Sequence, residues 1–175
     1  MKTKKDLNGR IGRRASVVAY VAIASIVSGL GGLIKLPSPV GSVALDAVPG
    51  LFSAVYYGPL VGGIVGFIGH MLSAASGGFP LGFVHFLIAL GIFVVCWTFG
   101  AIARTINKKW GLIPAGIVAI ILNNLIPFLN AALGLMPFSA AVALVFPFLL
   151  VAAAINVGIA SLMIIAIRKV KAPEI

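Results

Sequence analysis

The sequence predicts an all-α membrane protein: a compact bundle of six transmembrane helices with both termini cytoplasmic. Two observations lead there. Of 175 residues, 61% are hydrophobic and only 9% are charged, too little charge to coat a water-soluble domain of this size. The cations are also gathered at the ends of apolar runs. Lys2, Lys4, Lys5, Arg10, Arg13 and Arg14 precede the first run. Arg104, Lys108 and Lys109 fill one polar break, and Arg168, Lys169 and Lys171 follow the last run. Only Lys35 lies elsewhere. Cytoplasmic flanks of membrane helices carry excess Lys and Arg. The net charge of +10 therefore reads as topology, with some cations at anionic headgroups, and not as nucleic-acid binding.

A span needs about 20 mostly apolar residues. The first run, Ala15 to Ile34, leads outward from a basic segment, residues 1–14. It resembles a signal peptide in its basic start and small residues, but it is long for one, and the topology needs it as a span. "KLPSPVGS", Lys35 to Ser42, is a loop broken by prolines. The second run, Leu45 to Tyr57, returns inward to a turn at Gly58-Pro59. The third, Leu60 to Ala75, goes outward to the turn "SGGFP". The fourth, Leu81 to Ala103, comes back to the basic break, and the fifth, Leu112 to Leu129, goes out again. After the loop "ALGLMP", the sixth, Ser139 to Ile167, ends at the short basic tail 169–175. Six crossings put all three basic clusters on one side of a transmembrane domain covering 15–168. The second and third runs are short, and either tilt against their neighbours or form a re-entrant pair.

Glycine costs a helix roughly 1 kcal/mol relative to alanine, yet the third run carries Gly62, Gly63, Gly66 and Gly69 after Gly58. In lipid, small residues four apart let backbones approach and gain dispersion contacts. This run is expected at the centre of the bundle.

Polar side chains inside a bilayer need a partner or a task. Asp46, His70, His85, Asn123, Asn124, Asn130 and Asn156 all fall, on this topology, between mid-membrane and the outer surface. Asn123 and Asn130, seven apart, share a helix face with Pro127 between them. His70 shares its face with Gly66, Ser73 and Gly77, and Asn156 lies near Ala152, Ala153 and Ala160. Large polar groups among small neighbours leave space. The expectation is a cavity open to the outside, with Phe79, Phe83, Phe86 and Phe128 close by. For each residue a structural role stands beside the binding one. An Asn or His also bonds a neighbouring helix, and Asp46 also fits a helix N-cap.

Other chemistries lack their residues. The two histidines sit on different helices and Asp46 is the only acid inside, so neither a hydrolytic nor a metal site is expected. A proton pump's acidic relay is absent. "GLGGLIK" lacks the final Gly and the Ser/Thr of a phosphate-binding loop. No enzyme activity, cofactor or metal is expected, and uphill transport requires ATP hydrolysis by another chain. The single cysteine, Cys96, excludes an intrachain disulfide.

The stretch "LDAVPGLFSAVYYGPLVGGIVGFIGHMLSA", Leu45 to Ala74, resembles the second and third helices of S-components, the substrate-binding membrane subunits of energy-coupling-factor vitamin transporters. Size, six spans and internal termini extend the resemblance over almost the whole chain. Many members carry Asp where this chain has His70. The resemblance implies capture of a scarce vitamin from outside and docking on a transmembrane scaffold subunit driven by two ATPases. Tipping in the membrane then releases the ligand inside. The loops Lys35 to Ser42 and Ser76 to Pro80 would close over it, and Ala15 and Ala19 would contact the scaffold. "GHMLSAASGGFPLG" is similar to the α-ribazole transporters of the family. That similarity implies Asp46 or an Asn at ribose hydroxyls and His70 or His85 beside a benzimidazole. Pantothenate and queuosine precursors remain alternatives, as does a structural or assembly bundle with no ligand site.

Overall fold

A computed structural model describes residues 4–38, 41–106 and 110–171. Lys2, Lys108, Lys109 and the tail 172–175 lie outside the described residues, as do the side chains of Lys4, Lys5, Arg10, Lys35 and Lys171. The described residues fold into six helices: α1 (Lys4–Gly31), α2 (Val48–Tyr56), α3 (Pro59–Ser76), α4 (Val84–Thr105), α5 (Leu112–Ala132) and α6 (138–171). α6 contains one π-helical stretch, Ala141–Val145.

Three elements differ from the sequence expectation. α1 starts at Lys4, so the helix reaches back into the basic segment beyond the apolar run expected from Ala15. The proline loop is a small antiparallel hairpin, β1 (Lys35–Ser38) with β2 (Gly41–Ala44), Lys35 pairing with Ala44. Two four-residue strands tolerate Pro37 because both are edges. α2 is only 9 residues, about 14 Å at 1.5 Å per residue, against a hydrocarbon core of about 30 Å. The rest of the second crossing is the non-helical segment 45–47 beneath the hairpin. Irregular backbone at that depth survives when protein satisfies its polar groups. Among the described residues five helices are long and apolar enough to cross a membrane: Gly12–Gly31, Pro59–Ser76, Val84–Thr105, Leu112–Ala132 and Phe138–Val170.

Proline opens both α2 and α3, where its missing N–H and fixed φ suit the first turn. Gly58 between them has φ 111°, a conformation that favours glycine. α3 packs against α1, α2 and α4, and its glycines explain how. A Cβ on Gly62 would lie 2.5 Å from the Ala54 backbone of α2. One on Gly63 would meet the Phe93 ring of α4 at 2.8 Å, and one on Gly69 the Ser28 side chain of α1. The apolar core lies between α2, α4, α5 and α6, around Leu51, Ile92, Phe99, Ala119 and Ile164.

Polar contacts identify the two ends. Tyr20 of α1 shares a hydrogen bond with Ser53 at 2.8 Å and stacks on Tyr57 at 3.8 Å. Tyr56 donates to the Ile164 carbonyl at 3.2 Å, and Arg104 to the Val55 carbonyl at 2.8 Å. The start of α1 and the ends of α2, α4 and α6 thus meet at one end, near Arg13, Arg14, Arg104, Arg168 and Lys169. That end is the cytoplasmic one.

Candidate functional site

At the opposite end the helices part around a cavity of about 490 Å³. Its polar lining includes Asp46 before α2, His70 and Ser73 of α3, His85 of α4, Asn123 and Asn130 of α5, and Asn156 of α6. Leu51, Ile88, Ile92, Val95, Ile126 and Leu149 supply much of the apolar wall. Six of the eight residues expected from the sequence therefore reach one cavity.

Asp46 is not an N-cap. Ala47 occupies that position without a side-chain cap. The Asp46 carboxylate instead meets Nδ1 of His70 at 3.0 Å, while its carbonyl accepts from the Ser28 hydroxyl. His70 Nε2 in turn lies 3.4 Å from His85 Nδ1, and the two rings are 5.6 Å apart. The three groups stand in series, each ring nitrogen facing the next group, rather than converging on a point. Among the described residues no set of three His, Cys, Asp or Glu side chains is placed to hold a metal ion. The series ends at His85 Nε2, which is buried and has no hydrogen-bond partner.

The asparagines divide by role. Asn156 is saturated by backbone. Its Oδ1 accepts from Ala47 N–H at 3.1 Å, and its Nδ2 donates to the carbonyls of Ala152 at 2.9 Å and Ala44 at 3.4 Å. It fastens the non-helical outer segment to α6. Asn123 is a lining residue, and its Oδ1 is buried without a hydrogen-bond partner. Asn130 also lines it and is 3% exposed.

Asn124 and Phe79 do not line it, contrary to expectation. Asn124 is buried away from the cavity, its Nδ2 bonded to the Ile120 carbonyl at 2.9 Å. A helix turns about 100° per residue, so the neighbour of a cavity-facing Asn123 must face elsewhere. Phe79 sits in the α3–α4 loop with φ 52° and sets its ring edge against His85 at 6.0 Å. Phe83, at 72% exposure, and Phe86 point outward, and Phe128 packs on Phe138 and Phe146. The walls are aliphatic instead of aromatic.

This aliphatic lining leaves only a faint signal in the sequence and is absent from the expected site. Ile88, Ile92 and Val95 follow ordinary helical spacing from His85 and look like any core face. Ala15 and Ala19 are both exposed on α1.

Residues 18–168 match the family model for the ECF transporter substrate-specific component. The fold also matches a solved structure of the S component of a bacterial ECF transporter, with a TM-score of 0.70 at 21% identity. The match covers 91% of this chain and 99% of that one. At that identity the likeness speaks for the fold. No curated protein gives a significant sequence match.

Proposed function

The chain belongs to the ECF transporter substrate-specific components, multi-pass proteins of the plasma membrane, and from that premise we propose that its outer cavity captures α-ribazole. The family implies transport without catalysis by this subunit, and a scaffold with two ATPases as the energy source. The observation that carries the proposal is the cavity itself. Its size falls in the range of small-molecule sites, about 300–1,000 Å³, and polar residues of four helices, His70, His85, Asn123, Asn130 and Asn156, line it. A bundle with only structural duties fills such a void, because interiors are close-packed and an empty space forfeits dispersion contacts.

The lining argues for the chemical class. No Lys or Arg lines the cavity among the described side chains, which disfavours a polyanion. Amides and imidazoles suit hydroxyls and ring nitrogens, and the aliphatic walls accept a flat apolar ring. A neutral nucleoside-like compound meets both demands. On this reading Ala15 and Ala19, exposed and one turn apart, form part of the scaffold contact.

The test is thermal unfolding of the purified protein against α-ribazole, pantothenate, queuosine precursors and other vitamins. A ligand at 100 times its Kd stabilises by about 2.7 kcal/mol, a clear rise in midpoint. Stabilisation by α-ribazole alone is the expected outcome. Stabilisation by pantothenate alone overturns the ligand, and no response to any compound overturns the capture role of the cavity.

A further inference from the structure

Pro127 lies in the interior of α5, a helix that runs unbroken from Leu112 to Ala132. Proline has no main-chain N–H, so a helical proline leaves the carbonyl four residues earlier without its donor. That carbonyl belongs to Asn123. The N–H groups on either side are committed, since in an α-helix those of Ile126 and Phe128 serve the carbonyls of Leu122 and Asn124. Among the described residues no side-chain amide replaces the missing donor. Asn124 Nδ2 bonds the Ile120 carbonyl, and Asn156 Nδ2 bonds those of Ala152 and Ala44. Pro49, Pro59 and Pro114 create no such gap, because each stands in the first turn of its helix, where no intrahelical donor is required. Pro147 does lie within α6, but it is not on the cavity wall.

Pro127 and Asn123 are both lining residues of the cavity. Four residues apart, they stand one above the other on one helix face. Helical carbonyls point toward the C-terminal end, and α5 runs outward from the cytoplasmic end. The Asn123 carbonyl is therefore directed at the cavity mouth, beneath the Pro127 ring. The ring cannot approach that oxygen as an N–H would, and the clash wedges the helix open on the side where the ring sits. That side is the cavity side. An acceptor without a donor is costly in a membrane interior. Prolines are tolerated in membrane helices where neighbouring groups or ordered water satisfy the freed carbonyl. Here the space beside it is the cavity.

We infer that Pro127 turns the main-chain carbonyl of Asn123 into a ligand contact, an uncharged acceptor on the cavity wall that selects a compound with a hydroxyl or N–H. A carbonyl oxygen only accepts, so it rewards a donor and repels a carboxylate or phosphate oxygen placed against it. The contact comes from the backbone, and the side chain at position 123 is not part of it. Pro127 is a positioning residue that acts through Asn123. The inference rests on the reading of the cavity as the ligand site, but its first test needs no ligand.

Asn123–Asn124 is the one Asn–Asn pair in the sequence. In the full chain labelled with ¹³C,¹⁵N-asparagine and held in nanodiscs, a single main-chain carbonyl–amide correlation therefore reports the Asn123 carbonyl. Its carbon signal moves downfield when the oxygen accepts a hydrogen bond. Without ligand, the native signal should lie upfield of that in Pro127→Ala and Pro127→Val, where the restored N–H bonds the carbonyl. Coincident signals overturn the inference. With α-ribazole as probe, the native signal should move downfield while those of both variants stay in place. Affinity should fall roughly two- to tenfold in both variants. A loss in Pro127→Ala alone traces to the bulk of the wall, which valine restores, and overturns the contact. A rise in the native unfolding midpoint with no movement of the signal overturns it as well. If the native carbonyl lies upfield and α-ribazole neither moves it nor raises the midpoint, the freed acceptor stands and the α-ribazole reading fails.

Discussion

Asn156 illustrates how a membrane asparagine can belong to a cavity wall and still be a structural device. Its three bonds fix Ala44, Ala47 and Ala152, and Ala47 N–H lies at the N-cap of α2, where helix geometry leaves it without an intrahelical partner. Asn156→Leu removes the acceptor and leaves that buried donor unsatisfied. The expected loss is about 1–3 kcal/mol, seen as a lower thermal midpoint of the purified protein without ligand. Asn123→Ala, which deletes an unpartnered Oδ1, should cost less stability than Asn156→Leu in the same assay. Equal losses would mean that Asn123 has a structural partner after all. The contrast between these residues was only partly legible in the sequence. Depth in the membrane follows from counting residues, and the shared face of Asn123 and Asn130 follows from helical phase. That phase also separates Asn124, since adjacent residues point about 100° apart. What fastens Asn156 to the outer segment was not legible, because two of its three partners lie 109 and 112 positions away.

At the scale of elements, α3 is set by what its glycines allow. Gly62 faces Ala54 so closely that any side chain must displace the α2 backbone. Gly62→Ala should therefore destabilise by about 1–3 kcal/mol, as overpacking does. At Gly158 of α6 an added methyl group would have nothing within 4 Å, and Gly158→Ala should be neutral or stabilising by up to about 1 kcal/mol. Paired thermal melts check both, and a harmless Gly62→Ala would refute close α2–α3 packing. The apolar runs located α3, α4 and α5 within a few residues, because each is one uninterrupted periodic segment. α2 was harder. Its run, Leu45 to Tyr57, is continuous in composition, but Pro49 and the side-chain bonds to Ala44 and Ala47 confine the helix to 9 residues. Hydropathy registers burial and is blind to that competition. The hairpin was hidden for a related reason, since Pro37 and Pro39 read as breakers and pairing between 35–38 and 41–44 depends on register.

The whole molecule is polarised along the membrane normal. One end gathers Arg13, Arg14, Arg104, Arg168 and Lys169 with a girdle of tyrosines. The other holds the cavity and its uncharged polar wall. Five cations are harder to move across a bilayer than a few amides, so the basic end stays in the cytoplasm. Arg104 does more than mark it, because its bond to the Val55 carbonyl closes the last turn of the short α2. The polarity makes orientation measurable with little background. Cys96, the one native cysteine, is fully buried. Leu133, between α5 and α6 at the cavity end, is 58% exposed, and Thr105 at the end of α4 is exposed as well. In intact cells a membrane-impermeant maleimide should label Leu133→Cys and spare Thr105→Cys, and permeabilisation should expose the second. The reverse order would turn the cavity toward the cytosol. It would still be a pocket with unpaired polar atoms, but a protein holding it that way round could not gather a solute from outside, and the capture role would fall with the topology.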